Sequence, residues 1–317
     1  MVARSRIART DIEIAALAFG GNVFGWTADR DASFAVLDAF TAGGGDFIDT
    51  ADGYSHWAPG HSGGESETII GEWLAARGAR DRVVIASKVS THPDFAGLAA
   101  SNVRAAADAS LRRLGTDRID LYYAHYDDPQ SPLEETVAAF SELVDEGKIR
   151  AIGISNYTAE RAAEWLRIAA AGGFHAPVAL QPDYSLVERG YETNGLRAVA
   201  EDADLAVFPY YSLARGFLAG KYRTAADAAA PGASVRAEGA AKYLDERGLA
   251  VLTALDEVAR ARGVQLATVS LAWLRQQPTV AAPIASARNT EQLPALLASL
   301  TLELDRAELD ALTAASA

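Results

Sequence analysis

Eight short apolar runs recur along the chain, and their spacing constrains the fold more than any other feature of the sequence. They are Leu17–Gly21, Phe47–Asp49, Arg82–Lys88, Ile119–His125, Ile149–Ser155, Val178–Gln181, Leu205–Tyr211 and Val280–Ala285. Short runs of this kind, bounded by turn signals, are typical of strands that are buried on both faces. We therefore predict a sheet of parallel strands.

Segments with helical spacing separate these runs. They are Asp31–Phe40, Glu65–Leu74, Leu98–Leu114, Pro132–Glu146, Thr158–Ala171, Asn194–Glu201, Leu249–Arg262 and Leu266–Gln276. Strands that alternate with helices at roughly 30–45 residues per unit indicate an α/β fold. Eight such units favour closure into a (β/α)8 TIM barrel.

The ends of the chain add to this pattern. Arg4–Ile14 suits an N-terminal hairpin with its turn near Thr10 and Asp11, and Thr290–Leu300 and Asp305–Ala314 are predicted closing helices. An open doubly wound sheet is the alternative, because residues 20–25 (Gly-Gly-Asn-Val-Phe-Gly) partly match a dinucleotide fingerprint. No linker divides the sequence, so we expect one domain over residues 1–317.

Charge and composition exclude several classes of function. The formal net charge of −13 argues against nucleic-acid binding, which needs a basic face. The sequence has no cysteine, and no spacing typical of a metal site occurs, so we expect no bound metal. No apolar run has the length of a membrane span, and no secretory signal begins the chain. We expect a cytoplasmic protein with a small-molecule partner. The oligomeric state stays open.

Functional side chains stand where three consecutive strands end. Asp49 ends the second strand and Tyr54 lies five residues later, while Lys88 and His125 end the third and fourth strands. In a barrel these ends lie side by side on the C-terminal face, where active sites are found. Any one of these groups alone would be read as a solvated or structural residue. Four compatible groups at three successive ends predict a site.

The chemistry of the four groups is coherent. A tyrosine is a weak acid, and a nearby cation such as Lys88 stabilises its phenolate and lowers its pKa. Asp49 can pair with Lys88, and His125 can hydrogen-bond a carbonyl oxygen or assist Tyr54. Such a set donates a proton to an oxygen while an external donor attacks the carbon. Hydride from a nicotinamide fits that requirement.

These stretches also resemble a known family. Phe47–Tyr54, Ala86–Lys88, Asp120–His125, Gly153–Tyr157 and Tyr210–Lys221 are similar to motifs of the aldo-keto reductases, in order along nearly the whole chain. The resemblance implies a (β/α)8 barrel that reduces aldehydes or ketones with NADPH. It also implies that Tyr54 is the general acid, that Lys88 and Asp49 tune it, and that His125 positions the carbonyl.

The resemblance further implies a cofactor site. The family places the nicotinamide carboxamide against residues that match Ser155, Asn156 and Gln181, with an aromatic ring, here Tyr210, stacked on the nicotinamide. A pyrophosphate clamp corresponds to Ser212, Leu213, Arg215, Gly216 and Lys221, and Gly21 is assigned to the same cofactor site. Ser286 and Arg288 match the residues that hold the 2′-phosphate of NADP. Ser286 replaces a glycine of the family, and Ala295-Leu296 replaces a Glu-Asn pair, so Gln292 is the remaining adenine contact.

Loop aromatics are predicted to line the substrate pocket. Trp26, Trp57 and Tyr126 follow strands one, two and four, and they suit an apolar or sugar-like ligand. Packing of the loops against each other is an equal alternative. The loop from Ala214 to Ala240 is a candidate lid over the cofactor.

Other functions remain open on the same residues. An alcohol or sugar dehydrogenase would use the same four groups in the reverse direction. A nicotinamide-sensing binding protein would need the barrel but not a tuned proton donor. A lyase or isomerase is a third alternative, and it would require a metal or phosphate site.

Overall fold

Eight parallel strands form the centre of the structure, a computed structural model that describes residues 2–230 and 234–317. A two-stranded antiparallel hairpin precedes them. The hairpin is β1 (Arg4–Arg6) and β2 (Glu13–Ala15), and the central strands are β3 (Ala18–Gly20), β4 (Phe47–Asp49), β5 (Val84–Val89), β6 (Leu121–Ala124), β7 (Ile152–Ser155), β8 (Ala179–Gln181), β9 (Ala206–Val207) and β10 (Ile284–Ala285).

The central strands close into a barrel. They are ordered β10-β3-β4-β5-β6-β7-β8-β9, each parallel to its neighbour. Val207 of β9 bridges to Val280, and the amide of Ile284 donates to the carbonyl of Pro209 at 2.9 Å. These contacts join the two outer strands of the sheet. The predicted (β/α)8 fold is confirmed, and the open-sheet alternative is wrong.

Twelve α-helices belong to the described part of the chain, and most of them connect one strand to the next. They are α1 (Arg30–Ala42), α2 (Glu65–Arg77), α3 (Ala100–Leu114), α4 (Leu133–Asp145), α5 (Ala159–Gly172), α6 (Leu196–Asp202), α7 (Ala225–Ala229), α8 (Ala237–Ala241), α9 (Glu246–Arg262), α10 (Leu266–Arg275), α11 (Leu293–Ala298) and α12 (Arg306–Ala315). Within residues 2–230 and 234–317, no helix is long and apolar enough to cross a bilayer.

The N-terminal hairpin covers one end of the barrel. Ile7, Ile12 and Ile14 are buried in one cluster with side chains inside the barrel, among them Phe47 and Tyr123. This plug lies at the ends where the strands begin. The opposite end, where the strands terminate, is therefore the end that carries the long loops and the candidate site.

Tight packing inside the barrel fixes the positions of neighbouring strands. A Cβ added at Gly153 of β7 would lie 2.3 Å from the ring of Tyr123 on β6, so only glycine fits beside that ring. The register pairs Asp49 with Ala86 and Lys88 with Tyr123. Asp49 and Lys88 therefore lie close together near the ends of adjacent strands.

The segment predicted as a long loop is more ordered than expected. Between Ala214 and Ala240 the structure has a 3-10 helix at Ala214–Ala219, then α7 and the start of α8. The capping box between Thr224 and Asp227 explains α7, because each side chain accepts a hydrogen bond from the other residue's amide. Residues 231–233 of the predicted lid lie outside the described part of the chain.

Candidate active site

A buried ammonium group lies at the centre of the site. Lys88 Nζ is fully buried and contacts three oxygens: Asp49 Oδ1 at 2.5 Å, the Thr50 carbonyl at 2.7 Å and Tyr54 Oη at 2.9 Å. The loop after β4 returns Tyr54 to this point, since its amide donates to the Ala51 carbonyl. The three side chains predicted from strands two and three are therefore in direct contact.

Burial and charge act in opposite directions on these groups. Burial alone would lower the pKa of Lys88, but Asp49 and Tyr54 raise it above its ordinary value. Burial raises the pKa of Asp49, although Lys88 and a hydrogen bond from Gln181 oppose the shift. Lys88 therefore stays protonated and places a positive charge beside the phenol of Tyr54.

The pKa of Tyr54 corrects one expectation. We predicted that Lys88 lowers it below the usual value. Burial raises the pKa of Tyr54 to about 12, because desolvation and the Asp49 charge outweigh the attraction of Lys88. At neutral pH the phenol therefore keeps its proton and is a donor in the ligand-free protein.

His125 is the second polar group beside the phenol. It follows β6, and its ring centroid lies 6.0 Å from that of Tyr54. Burial and the charge of Lys88 hold the pKa of His125 well below its usual value, so the imidazole is neutral at pH 7. A protonated phenol and a neutral imidazole can together donate to one substrate oxygen.

The predicted carboxamide residues form one hydrogen-bonded group at the ends of β7, β8 and β9. Ser155 Oγ donates to the Gln181 carbonyl at 2.8 Å, and Tyr210 Oη donates to Asn156 Oδ1 at 2.8 Å. Gln181 Nε2 donates to Asp49 Oδ2 at 2.9 Å, which links this group to the ion pair. The structure therefore brings these four residues together beside the Lys88–Tyr54 contact.

The predicted clamp residues have different surroundings. Ser212 Oγ is buried and donates to the Pro209 carbonyl at 2.8 Å, so it holds the loop. Leu213 precedes the 3-10 helix, in which Arg215 and Gly216 have left-handed φ values of 59° and 99°. The Gly21 amide donates to the Asp49 carbonyl at 2.8 Å, and its own carbonyl accepts from Ser66. Both backbone groups of Gly21 therefore have partners within the protein.

A cluster of cations surrounds this loop. Partial burial, together with the charges of Arg288 and Arg236, lowers the pKa of Lys221. Burial and the charges of Arg215 and Arg288 lower the pKa of Arg236 in the same way. None of these four cations has an ion-pair partner within residues 2–230 and 234–317. On a chain with a net charge of −13, this arrangement suits a polyanionic ligand.

Arg236 and Asn22 are two further residues of the site that no sequence motif predicts. Arg236 Nη2 donates to Asn22 Oδ1 at 3.1 Å, and Ser286 Oγ donates to the same oxygen at 2.9 Å. The Arg236 guanidinium also lies 5.5 Å from the Trp26 ring centroid. Asn22 therefore joins the cation cluster to the end of β10. Nothing in the sequence singles out Arg236, which is followed two positions later by Glu238 and resembles an ordinary surface charge.

After the last strand, the structure shows the surroundings of the residues predicted to lie near the adenine. The Arg288 amide donates to Gln292 Oε1 at 3.0 Å, so the acceptor of the predicted adenine contact is already used. Ala295 and Leu296 are buried in the core. Their apolar side chains cannot make the polar adenine contacts of the Glu-Asn pair that they replace in the family pattern.

Aromatic rings form the wall of the site. The ring centroids of Trp26 and Trp57 lie 5.4 Å apart, and that of Trp57 lies 6.1 Å from that of Tyr54. The ring centroid of Tyr126 lies 5.0 Å from that of His125. Trp57 and Tyr126 remain 44% and 50% exposed, which is unusual for large aromatic side chains. The three predicted substrate residues thus contact each other or the polar groups, and Trp57 and Tyr126 keep a free face.

Tyr211 is a further residue at the mouth. Its ring packs at 5.1 Å from that of Tyr210, and the Arg215 guanidinium lies 4.1 Å above it. In the sequence this residue reads only as the neighbour of Tyr210. Tyr211 is among the groups that raise the pKa of Tyr54, so it lies close to that phenol.

Comparisons with known proteins find similarity to a single protein family. A model of the Aldo/keto reductase family matches residues 16–317. "Protein tas" of Escherichia coli (strain K12) is 33% identical, over 96% of this chain and 96% of that protein. "Aldo-keto reductase YhdN" of Bacillus subtilis (strain 168) is 33% identical, over 93% and 86%. "Norsolorinic acid reductase stcV" of Emericella nidulans is 32% identical, over 94% of this chain and 77% of that protein.

Proposed function

This chain belongs to the aldo/keto reductase family, and we propose that it reduces aldehyde or ketone groups to alcohols with NADPH as the hydride donor. One observation carries the proposal. The phenol of Tyr54 lies 2.9 Å from a buried ammonium group that is itself paired with a carboxylate. A protein that only binds a cofactor has no need for a proton donor held in this way.

Each residue of the site has a role in the proposed reaction. Tyr54 donates its proton to the carbonyl oxygen as negative charge develops there. Lys88 stabilises the phenolate that remains, and Asp49 keeps Lys88 charged and in place. His125 is neutral and donates a hydrogen bond to the same oxygen, which fixes the carbonyl in front of the phenol.

The cation cluster supports NADPH as the cofactor. When bound, NADPH supplies the hydride. Lys221, Arg215 and Arg236 are suitable for the pyrophosphate, and Arg288 with Ser286 is suitable for the 2′-phosphate. Lys221 and Arg236, whose pKa values are lowered, gain most from a bound polyanion. Ser155, Asn156 and Gln181 supply amide and hydroxyl groups for the carboxamide, and Tyr210 supplies an aromatic face.

The aromatic wall supports a substrate with a planar or apolar body. Trp57 and Tyr126 keep free faces beside the two proton-donating groups. Stacking on such faces is favourable for rings and extended apolar groups. One relative in this family is named for the reduction of norsolorinic acid. We therefore propose an aromatic or largely apolar carbonyl compound as the substrate class.

A coupled assay tests this proposal. The purified protein is mixed with NADPH labelled with deuterium at the transferable position and with a panel of aromatic and aliphatic aldehydes and ketones. We expect loss of NADPH absorbance with some aromatic carbonyls, one equivalent of alcohol for each NADPH, and deuterium on the new carbinol carbon. Tight NADPH binding without turnover of any carbonyl would contradict the proposal and favour a sensing role.

A further inference from the structure

Asp52 is a buried carboxyl that the proposed reaction does not use. It lies in the turn between β4 and Tyr54 and is fully buried. Its Oδ2 has no hydrogen-bond partner within the described part of the chain, and its Oδ1 lies 3.5 Å from Thr91 Oγ1. Burying a carboxyl oxygen without a hydrogen-bond partner destabilises the fold, so a functional role for Asp52 is worth seeking.

The hydroxyl of Thr91 connects this carboxyl to the site. Thr91 Oγ1 lies 3.4 Å from His125 Nδ1 on its other side. A Cβ at residue 53 would lie 2.4 Å from Thr91 Oγ1, so Gly53 leaves the space that the hydroxyl occupies. A hydroxyl has one hydrogen, so Thr91 donates to one neighbour and accepts from the other.

We propose that Asp52, acting through Thr91, determines which nitrogen of His125 carries the hydrogen and so whether the substrate side of the ring can donate. Asp52 and Thr91 are positioning residues in this account, since neither touches the substrate. The inference rests on the proposed reduction, in which His125 donates a hydrogen bond to the carbonyl oxygen.

Two arrangements of hydrogens follow from this geometry. When Asp52 is ionised, Thr91 donates to the carboxylate and accepts from Nδ1–H of His125, and Nε2 is then a bare acceptor. When Asp52 is protonated, it donates to Thr91, Thr91 donates to Nδ1, and the hydrogen of His125 is on Nε2. The imidazole has one hydrogen in both states, because one proton leaves Nδ1 as another reaches Nε2. The only net change is the proton that solvent supplies to Asp52.

The surroundings of Asp52 place this exchange near neutral pH. Burial and the Glu67 carboxylate of α2 raise the pKa of Asp52 to about 7, while two backbone amides and Arg113 of α3 oppose the shift. Tyr122 of β6 also faces Asp52, and burial together with Asp52 and Glu67 raises its pKa well above its usual value. Tyr122 therefore stays neutral while Asp52 titrates.

The surroundings of His125 keep its own charge constant. Burial and Lys88 hold its pKa well below the usual value, so the imidazole does not become a cation near pH 7. The neighbouring phenol of Tyr54 has a pKa of about 12 and does not ionise there either. The exchange is therefore between two neutral tautomers.

The pH profile of kcat gives the first test. In the wild type we expect kcat for reduction to fall about tenfold per pH unit above a midpoint near that of Asp52. The Asp52→Asn amide donates to Thr91 at every pH, so this alkaline limb should vanish. Thr91→Ser keeps the hydroxyl and should keep the limb, whereas Thr91→Val should lose it. A limb that is unchanged in Asp52→Asn would overturn the proposal.

Nitrogen NMR of the histidines gives a second test that needs no turnover. The His125 signals, assigned by their loss in His125→Gln, should change from the Nε2–H to the Nδ1–H tautomer as the pH rises through the Asp52 midpoint. In Asp52→Asn the Nε2–H form should persist. One tautomer at all pH values in the wild type would overturn the proposal. A protein that reduces no carbonyl but shows the tautomer change would refute only the proposed function.

Discussion

The ammonium nitrogen of Lys88 lies 2.9 Å from the phenolic oxygen of Tyr54, with no solvent exposure of the lysine side chain. Burial of a cation is costly, and here Asp49 compensates it at 2.5 Å. The phenol is thus next to a fixed positive charge. In our account, that charge stabilises the phenolate formed when the proton leaves.

Replacing Lys88 tests this arrangement. Lys88→Met should lower kcat by at least about 100-fold, because the phenolate loses its stabilising charge. It should also lower the free energy of unfolding by about 3 kcal/mol, since Asp49 is then buried without its partner. The double variant Asp49→Asn/Lys88→Met should regain most of the stability but not the activity. Urea unfolding measures the effect on stability, and steady-state kinetics measure the effect on kcat. Recovery of activity in the double variant would contradict the proposed role of the Lys88 charge.

Arg288 provides a test of cofactor preference. Arg288→Ala should raise the Kd for NADPH by about 10- to 100-fold, because a charge-assisted hydrogen bond to the 2′-phosphate is lost. The Kd for NADH should change little. Fluorescence titration with both cofactors measures this, with Arg104→Ala as the control, since that guanidinium pairs with Glu142 on the outer helices. Equal weakening of both cofactors would show that Arg288 does not distinguish them.

Trp57 provides a test of the substrate class. Trp57→Ala should raise KM for aromatic aldehydes by about tenfold, as an aromatic contact of about 1 kcal/mol or more is lost. KM for a short aliphatic aldehyde should change much less. Phe174→Ala removes another exposed aromatic ring, at the opposite end of the barrel, and should leave both values unaltered. An identical effect of Trp57→Ala on both substrates would argue against the aromatic wall as a binding surface.

Asp52 has a predicted effect on stability that depends on pH. Its pKa is about 7 in the folded protein and near 4 when unfolded, so the folded state holds this proton more tightly. Its contribution is fully present below about pH 4 and is lost as the pH rises through 7. Asp52→Asn should therefore stabilise the protein relative to the wild type at pH 8, by an amount of the order of 4 kcal/mol, and much less at pH 5.

Thermal unfolding at the two pH values measures this difference. Asp117→Asn is the matched control, since it removes the same formal charge from a side chain that is 88% exposed. Its effect should be small at both values. If the two variants behaved alike, Asp52 would not titrate near neutral pH in the folded protein.

The sequence predicts the barrel and the inner site because both depend on local patterns. A buried run that ends in Asp49, Lys88 or His125 places the side chain at the strand's end, and closure of the barrel then brings those ends together. The hairpin and most helices follow from apolar spacing and glycine stops in the same way.

Other features depend on the path of loops, which no local pattern fixes. Arg236 reaches Asn22 across more than 200 positions of sequence, and nothing near either residue indicates the contact. The raised pKa of Tyr54 follows from the depth of its burial, whereas the sequence shows only its cationic partner. Asp52 reads as a turn residue until its burial is known.

Tyr54→Phe tests the central claim most directly, because it removes one hydroxyl and keeps the ring. Turnover of an aromatic aldehyde with NADPH is measured beside the Kd for NADPH, and Tyr126→Phe, another phenol at the mouth, is the control. We predict that Tyr54→Phe lowers kcat by about 100- to 10,000-fold with the Kd for NADPH nearly unchanged, and that Tyr126→Phe retains most activity. Wild-type turnover by Tyr54→Phe would show that the proton comes from another group.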